Sequence, residues 1–312
     1  MSGLVDGVTL RQLRALAAVS STGSVTGAAR RVGLTQPAVT LQLRALQDLV
    51  GLPLIRRAKS GIALTDAGRE LVALRHRIDA ALGDSGAVID ALKGLSGGAV
   101  AVGAVSTAKY FVPFAIAGFS KRFPKILINL SIGNRKEVLG AFRDYALDVA
   151  ITGRPPEDMD LERRLIGDHP HMVVAPPDHR LARRRKLALS DLGGENFLVR
   201  EPDSGTRLLM QRAFSELRFE ARIGMEIDSN ETIKQAVMAG LGVAFISGHT
   251  VASELADGRL IALGIQGMPI VRQWYVVWRK DRPLLPAAMA LSEYFSSNSS
   301  RFLPKVLERR RV

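Results

Sequence analysis

The chain of 312 residues contains no cysteine, which excludes disulfide scaffolds, cysteine-ligated zinc and cysteine nucleophiles and suits a reducing compartment. No apolar run approaches the length that spans a bilayer, and the opening MSGLVDGVTLRQLRAL lacks the basic-then-apolar pattern of a leader. A cytoplasmic location is the expectation. Enzymatic signatures are missing as well: there is no G-x-S-x-G elbow and no Walker-type phosphate loop. His169 and His171 in DHPHMVV have a spacing that caps or packs more often than it binds metal. No catalytic residue, metal or cofactor is therefore expected. Negative charge is also in short supply, since 43 Lys and Arg against 30 Asp and Glu leave a net charge of +13. Such an imbalance favours a polyanionic partner.

What the sequence does have is 47% hydrophobic residues, enough to bury a core, over a length that suggests two or three modules. Thr9 is placed to cap a helix with Leu10, Leu13, Leu16, Ala17 and Val19 at helical spacing. Ser24 caps a second helix, Val25 to Val32, which Gly33 ends at positive φ. Thr35 caps a third, where Pro37 is tolerated because first-turn amides have no intrahelical partner, and Ala38, Leu41, Ala45, Leu46 and Leu49 mark its apolar face. Two short helices around a glycine-bearing turn make a helix-turn-helix. Its third helix would enter a major groove, with Gln36 suited to an adenine edge, Thr40 offering a hydroxyl, and Pro37 and Ala38 meeting a thymine methyl. Arg44, Arg30 and Arg31 are expected on phosphate. GLPLIRRAKSGIALTDAG then reads as a wing, with strands Leu54 to Arg57 and Gly61 to Leu64 and with Arg56, Arg57 and Lys59 facing backbone or minor groove. A purely structural or protein-docking module is the bland alternative to this winged helix-turn-helix over residues 1–65.

The run from Ser24 to Val32, then TQPAVT from Thr35, GLPL from Gly51 and LTDAG from Leu64 resemble the LysR-type transcriptional regulators. Three positions depart from the pattern: Gln47 where Glu is usual, Ile55 where an aromatic is usual, and Arg56 where an acid is common. Leu41 stands where many relatives carry Arg. With that position, Ser24 and Thr35 complete the DNA-facing set.

Thr65 can cap a long helix over residues 66–95, whose Leu71, Leu74, Ile78, Ala81, Ser85, Val88, Leu92 and Leu95 follow a heptad seam. A single helix cannot bury a seam, so a homodimer reading a palindromic site is expected. Gly83 and Gly86 should weaken the helix midway. Packing of the stripe on its own domain is the competing reading. The LysR resemblance implies dimerisation through this helix and, in many members, a homotetramer.

After Leu95-Ser96-Gly97-Gly98, strand and helix patterns alternate, which points to a mostly parallel α/β sheet over residues 96–300. Two lobes are expected, one from about 96–167 and 269–300, the other about 168–268. This resembles the periplasmic-binding-protein-like effector domain of the LysR family. Ligands of open α/β sheets sit beyond the carboxyl ends of strands, which nominates Ser106, Thr107, Lys109, Asn134, Arg135 and Arg154 with Pro155 and Pro156 from one lobe. Arg200, Glu201, Ser204, Gly205, Thr206, Arg207, Ser229, Asn230 and Thr232 come from the other, several at helix starts that favour anions. Convergent cations suit a phosphorylated or carboxylated metabolite. An ordinary cap for each hydroxyl and a surface ion pair for each arginine are the competing readings.

VSTAKYFVP, SIGNRKEV, LDVAITGRPPEDMD, VVAPPDHRLA and LVREPDSGTR further resemble LysR-type activators of Calvin-cycle operons, with one-carbon regulators alike. That resemblance implies double-stranded DNA and RNA polymerase as partners, with an assimilation intermediate as effector. A two-lobed enzyme or an exported solute-binding protein would be the rival class. Residues 301–312, ending in three arginines and a valine, are expected to be a basic tail.

Overall fold

The computed structural model describes residues 7–58, 61–92, 97–184 and 186–306. It divides into two units, Met1–Ile89 and Asp90–Val312.

In the first unit, α1 (Leu10–Thr22), α2 (Val25–Val32) and α3 (Gln36–Val50) are capped at their starts by Thr9, Ser24 and Thr35, and each ends on a left-handed glycine: Gly23, Gly33 and Gly51. A side chain at those positive φ values would be strained, so the glycines fix where each helix stops. The core comprises Leu13, Leu16, Val19, Ala28, Ala29, Val39, Leu43, Leu46, Leu54 and Leu71 among others. This corrects the expected inner face of α3. Val39, Leu43 and Leu46 are buried, whereas Leu41 and Leu49 are exposed and Ala45 faces outward. The helix carries two apolar stripes, and packing against α1 and α2 selects the 39/43/46 stripe.

The wing is β1 (Ile55–Ala58) paired antiparallel with β2 (Gly61–Leu64). Leu54 precedes the strand and is fully buried. The amide of Ile62 donates to the Gly23 carbonyl at 2.9 Å, which ties the wing to the end of α1. Gln47 performs a structural task there, since its Oε1 accepts from the Leu54 amide at 3.0 Å. A neutral carbonyl oxygen thus meets the need at a position where the family usually has a carboxylate.

α4 runs unbroken over Asp66–Leu92 through both glycines. Thr65 caps it, accepting from the Gly68 amide at 3.1 Å. The seam divides in two: Leu71 is buried and Leu74 and Ile78 pack on the unit's own core, while Val88 is half exposed, as are Leu82 and Ile89, which stand outside the expected seam. Own-domain packing therefore takes the first part of the stripe, and the apolar surface left over lies in the second. Leu95 lies outside the described residues.

The second unit is organised by two long crossover strands, β6 (Leu161–Ala175) and β11 (Ile270–Arg279), paired antiparallel from Leu161↔Arg279 to His171↔Ile270. One lobe adds β3 (Ala99–Val105), β4 (Leu127–Gly133) and β5 (Val149–Thr152), with β3 parallel to both others. The other adds β9 (Ala244–Ser247), β10 (Ile261–Ala262) and the parallel pair β7 (Phe197–Arg200) and β8 (Ile223–Ile227). Parallel pairing is thus confined to the heart of each lobe. The crossovers are antiparallel to their neighbours, because a chain that leaves a lobe and later returns must run in opposite directions.

The helices are α5 (Val112–Arg122), α6 (Arg135–Arg143), α7 (Gly205–Glu216), α8 (Asn230–Met238), α9 (Ala252–Ala256), α10 (Pro286–Ser297) and α11 (Ser299–Phe302). Helical structure over 106–110 is a 3₁₀ turn rather than the start of α5. Residues 301–306, expected to belong to a basic tail, are packed on the second unit instead. Phe302 is buried in the first lobe's core, stacked on Phe111 at 5.9 Å, and Val306 packs against the second lobe's core. The hydrophobicity of Phe302, Leu303 and Val306 accounts for that packing. Residues 307–312 lie outside the described set.

Candidate functional site

On the first unit, Thr35, Gln36, Pro37 and Leu41 are exposed at the start of α3, with Arg44 one turn on. Ala38 and Thr40 are half-buried beside them. Burial of 39, 43 and 46 leaves the opposite edge of the helix outward, which brings Gln36, Pro37, Thr40, Leu41 and Arg44 to one surface. Thr26 on α2 donates to Gln36 Oε1 at 3.3 Å, a contact that pre-orients the amide. The Thr40 hydroxyl donates to the Gln36 carbonyl at 3.0 Å, so it turns back onto its own helix. Ser24 and Thr35 serve as caps, accepting from Gly27 and Ala38 amides. Arg30, Arg31, Arg56 and Arg57 are exposed; Lys59 lies outside the described residues. Residues 1–65 hold eight Lys and Arg against only Asp6 and Asp48, so this segment concentrates positive charge beside the exposed helix start.

The second unit has an open cleft of about 450 Å³ between its lobes. Of the nominated residues, Ser106, Thr107, Asn134, Arg135, Arg154, Arg200, Ser204, Gly205 and Thr206 line it, along with Pro155 and Pro156. Lys109, Glu201, Arg207, Asn230 and Thr232 do not. Lys109 forms a 3.8 Å ion pair with Glu231, and the Thr232 amide donates to the cap residue Ser229. Glu201 and Asn230 stand behind the wall, holding Arg200. Both nitrogens on one edge of its guanidinium donate to Glu201, at 2.7 and 2.8 Å, and Nη1 donates to Asn230 Oδ1 at 2.6 Å. Nη1 also lies 3.5 Å from Ser106 Oγ, so Arg200 is a buried cation already held by protein partners.

The arginines sort by partner. Arg154 pairs with Glu157 at 2.8 Å, Arg143 with Asp158 at 2.7 Å and Arg212 with Glu216 at 3.1 Å. Arg135 donates to the Arg154 carbonyl, and neither it nor Arg272 forms an ion pair among the described residues. Burial and the positive charges of Arg154 and Arg143 lower the Arg135 pKa from the ordinary arginine value. This is the signature of cations crowded where an anion would relieve them. Ser204, at the start of α7, is buried yet makes no side-chain cap bond, so its hydroxyl remains available beside the positive end of that helix.

Sequence reasoning did not nominate Arg143, Arg212 and Arg272 on the cavity wall, where His169 and His171, read from the sequence as capping or packing residues, also stand. Arg272 and His169 sit opposite each other in the crossover ladder, a juxtaposition with no local signal. His169, His171, His249 and Trp274 form a buried cluster. His169 stacks on Trp274 at 3.8 Å, His171 lies 4.1 Å from His169, and Trp274 Nε1 donates to His249 Nδ1 at 3.1 Å. Burial pushes all three imidazole pKa values down, His171 to about 3 and His249 to about 4. Among the described residues, no group of three or more His, Asp or Glu converges as a metal site, and no helix is long and apolar enough to cross a membrane.

An exposed, cationic helix-turn-helix with a wing, followed by a two-lobed domain around a cation-lined cavity, defines a ligand-responsive DNA-binding regulator. The family model for the bacterial regulatory helix-turn-helix protein, lysR family, matches residues 10–69, and that for the LysR substrate binding domain matches residues 93–299. The chain belongs to the LysR family of DNA-binding transcriptional regulators. It is 51% identical over 300 residues, covering 96% of this chain and 90% of the relative, to the HTH-type transcriptional regulator CbbR of Xanthobacter flavus. It is 40% identical over 294 residues, 94% of this chain and 97% of the relative, to a RuBisCO operon transcriptional regulator of Allochromatium vinosum. The regulatory domain of CcmR from Synechocystis PCC6803, solved in complex with 2-PG, superposes with a TM-score of 0.62 at 33% identity, covering 65% of this chain and 97% of that domain.

Proposed function

We propose that this protein is a cytoplasmic activator of carbon-fixation genes, a homodimer or homotetramer that binds a palindromic duplex site and responds to a small phosphorylated or carboxylated metabolite held between its lobes. End-to-end similarity to CbbR carries the reading. Gln36, Pro37, Ala38, Thr40 and Leu41 read base edges, while Arg30, Arg31, Arg44, Arg56, Arg57 and Lys59 hold phosphate. The exposed apolar part of α4, with Leu82, Val88 and Ile89, supplies the partner-facing seam. In the cavity, Arg135 and Arg272 supply charge, with Ser106, Thr107, Asn134, Ser204 and Thr206 supplying hydrogen bonds. Arg154 supports the site through its carbonyl contact with Arg135 rather than as a free cation, and Arg207 takes no part.

A metabolite acts by preferring one arrangement of the assembled subunits, and it shifts the equilibrium by no more than its differential affinity. The resulting change in DNA bending alters contact with RNA polymerase. Gel retardation of a carbon-fixation promoter with and without 2-PG tests the proposal. Retardation should weaken steeply with salt and change pattern with 2-PG. Arg135→Ala should keep the DNA affinity while losing the 2-PG effect; salt-independent retardation, or an undiminished response in Arg135→Ala, would contradict the assignment.

A further inference from the structure

Resting on the proposed anion site, we infer that the two lobes part along one edge of the effector cleft only, with Lys136 of α6 and Asp203 ahead of α7 as the latch that a metabolite must pass.

The lobes meet on two sides of the cleft, and the two contacts differ in kind. On one side the first lobe's 3₁₀ turn at 106–110 abuts the start of α8. The Tyr110 hydroxyl donates to Glu231 Oε1 at 2.5 Å, and Lys109 Nζ stands 3.8 Å from the same oxygen. Burial and the bond to Glu231 hold the Tyr110 pKa above the ordinary phenol value, so the hydroxyl stays a donor. Glu231 is itself braced: Lys234 Nζ lies 3.1 Å from its Oε2 and 3.0 Å from Glu254 Oε1. Lys234 and Glu254 are 5% and 6% exposed, so each charge depends on the other in place of water. The Lys234 ammonium also sits 5.0 Å from the Tyr110 ring centroid, which makes an aromatic ring of one lobe part of the cover over a cation of the other. Next in sequence, Phe111 is fully buried and meets the His249 ring edge-on at 6.4 Å. Separation here would uncover buried charge and buried rings together.

On the other side, the start of α6 faces the start of α7. A Cβ on Gly205 would stand 3.8 Å from Arg135 Cδ, so the two helix starts lie within contact. The ion pair across this gap runs from Lys136 Nζ to Asp203 Oδ2 at 3.2 Å, and its side chains are 76% and 56% exposed. Water replaces either partner of such a pair at little cost, and exposed side chains change rotamer rapidly. This edge can therefore open while the other holds, with β6 and β11 still joining the lobes.

Placement gives the latch its consequence. Neither Lys136 nor Asp203 lines the cleft, but their neighbours in sequence do: Asn134 and Arg135 on one lip, Ser204 and Gly205 on the other. The pair stands beside the residues assigned to the anion, so breaking it admits or releases a metabolite without removing a ligand contact.

The test follows release of radiolabelled 2-PG from the full chain. A latch fails when either partner is lost, so Asp203→Asn and Lys136→Gln should each speed release by about two- to fivefold, the range an exposed ion pair supports. The swapped pair Lys136→Asp with Asp203→Lys should return release to within about 1.5-fold of the parent. Charges acting only through their field on the anion would give opposite signs, since loss of Asp203 would slow release and loss of Lys136 would speed it. Release slowed or unchanged in Asp203→Asn, a change in only one single variant, or a swapped pair as fast as the single variants overturns the inference.

A second experiment uses the absence of cysteine, which makes an introduced pair of thiols unique in the chain. With 2-PG loaded, a short bismaleimide joining Lys136→Cys to Asp203→Cys should slow release by about tenfold or more, whereas the same bridge between Lys109→Cys and Glu231→Cys should leave it within about twofold of the unbridged variant. Equal slowing by the two bridges, or unhindered release past the bridged latch, overturns the inference. If 2-PG does not bind the parent, the inference falls together with the anion-site reading. If 2-PG binds, is weakened by Arg135→Ala and leaves the parent and the latch variants at one rate, the inference alone falls.

Discussion

Acidification should destabilise the two-lobed unit through its buried histidines. Their pKa values lie below that of a histidine in an unfolded chain, about 6.5, because burial penalises the charged ring. His171 is held at about 3, with the His169 carbonyl opposing the shift, and His249 at about 4, with Asp168 opposing it. Below pH of about 6.5 the unfolded state therefore binds protons that the folded state refuses, so the neutral-ring stability is complete above that value and is lost as the pH falls. At pH of about 5 each ring is about 1.5 units into this window, which costs about 2 kcal/mol per histidine. His171 and His249 together remove about 4 kcal/mol, and His169 adds in the same direction. Set against a typical total of about 5–15 kcal/mol, this is a large part of the stability.

Carboxylates held low in the fold, such as Asp281 at about 2 beside Arg279, lose their contribution only at more acidic pH, so the window is largely clear of them. Urea unfolding at about pH 7.5 and about pH 5, followed by tryptophan fluorescence, measures the effect. Both tryptophans, Trp274 and Trp278, lie on β11. His249→Asn keeps an acceptor for Trp274 Nε1 without a titrating ring, and it should shrink the pH-dependent loss by about 2 kcal/mol. A parent protein that loses less than about 1 kcal/mol over this interval, or an unchanged loss in His249→Asn, would refute the reasoning.

Two further outcomes concern the first unit. Gln36→Ala should cost about 1–3 kcal/mol of discrimination between operator and mutated operator with little change in salt slope, whereas Arg57→Ala should weaken all duplexes alike and reduce the slope by about one; identical behaviour of the two in quantitative gel retardation would remove the division of roles. Gly68→Ala should destabilise the DNA-binding unit by about 2 kcal/mol or more, because a Cβ there overlaps the Leu54 carbonyl and backbone cannot yield as a side chain can. Thermal unfolding of that unit at the parent temperature would count against the packing described.

The first sixty-five residues were legible because their signals are local. A cap, a left-handed glycine and a short apolar repeat each act within one or two turns, so Thr9, Ser24, Thr35 and Gly33 delimit the helices in the sequence as they do in the structure, which adds Gly23 and Gly51 as helix ends. The recognition helix shows the limit of that logic. It has two apolar stripes, and only packing against α1 and α2 decides that Val39, Leu43 and Leu46 turn inward while Leu41 stays outside. The same holds for α4, where the repeat was visible but its division between own-core packing and exposed surface was not.

In the second unit the alternation of strands and helices, and the polar residues that follow each strand, could be read along the chain. What those residues touch could not. Arg154 and Arg200 look like free cations in the sequence and are paired in the fold, because their partners Glu157 and Glu201 can close ion pairs that only side-chain geometry reveals. Arg272 and His169 are more than a hundred residues apart, and antiparallel register alone sets them face to face. The sequence by itself determined the helix caps, the element order and the excess of positive charge, since these depend on neighbouring residues. Tertiary structure decided which arginines remain unpaired and which imidazoles are buried together beside Trp274, since these depend on distances between segments that local chemistry does not encode.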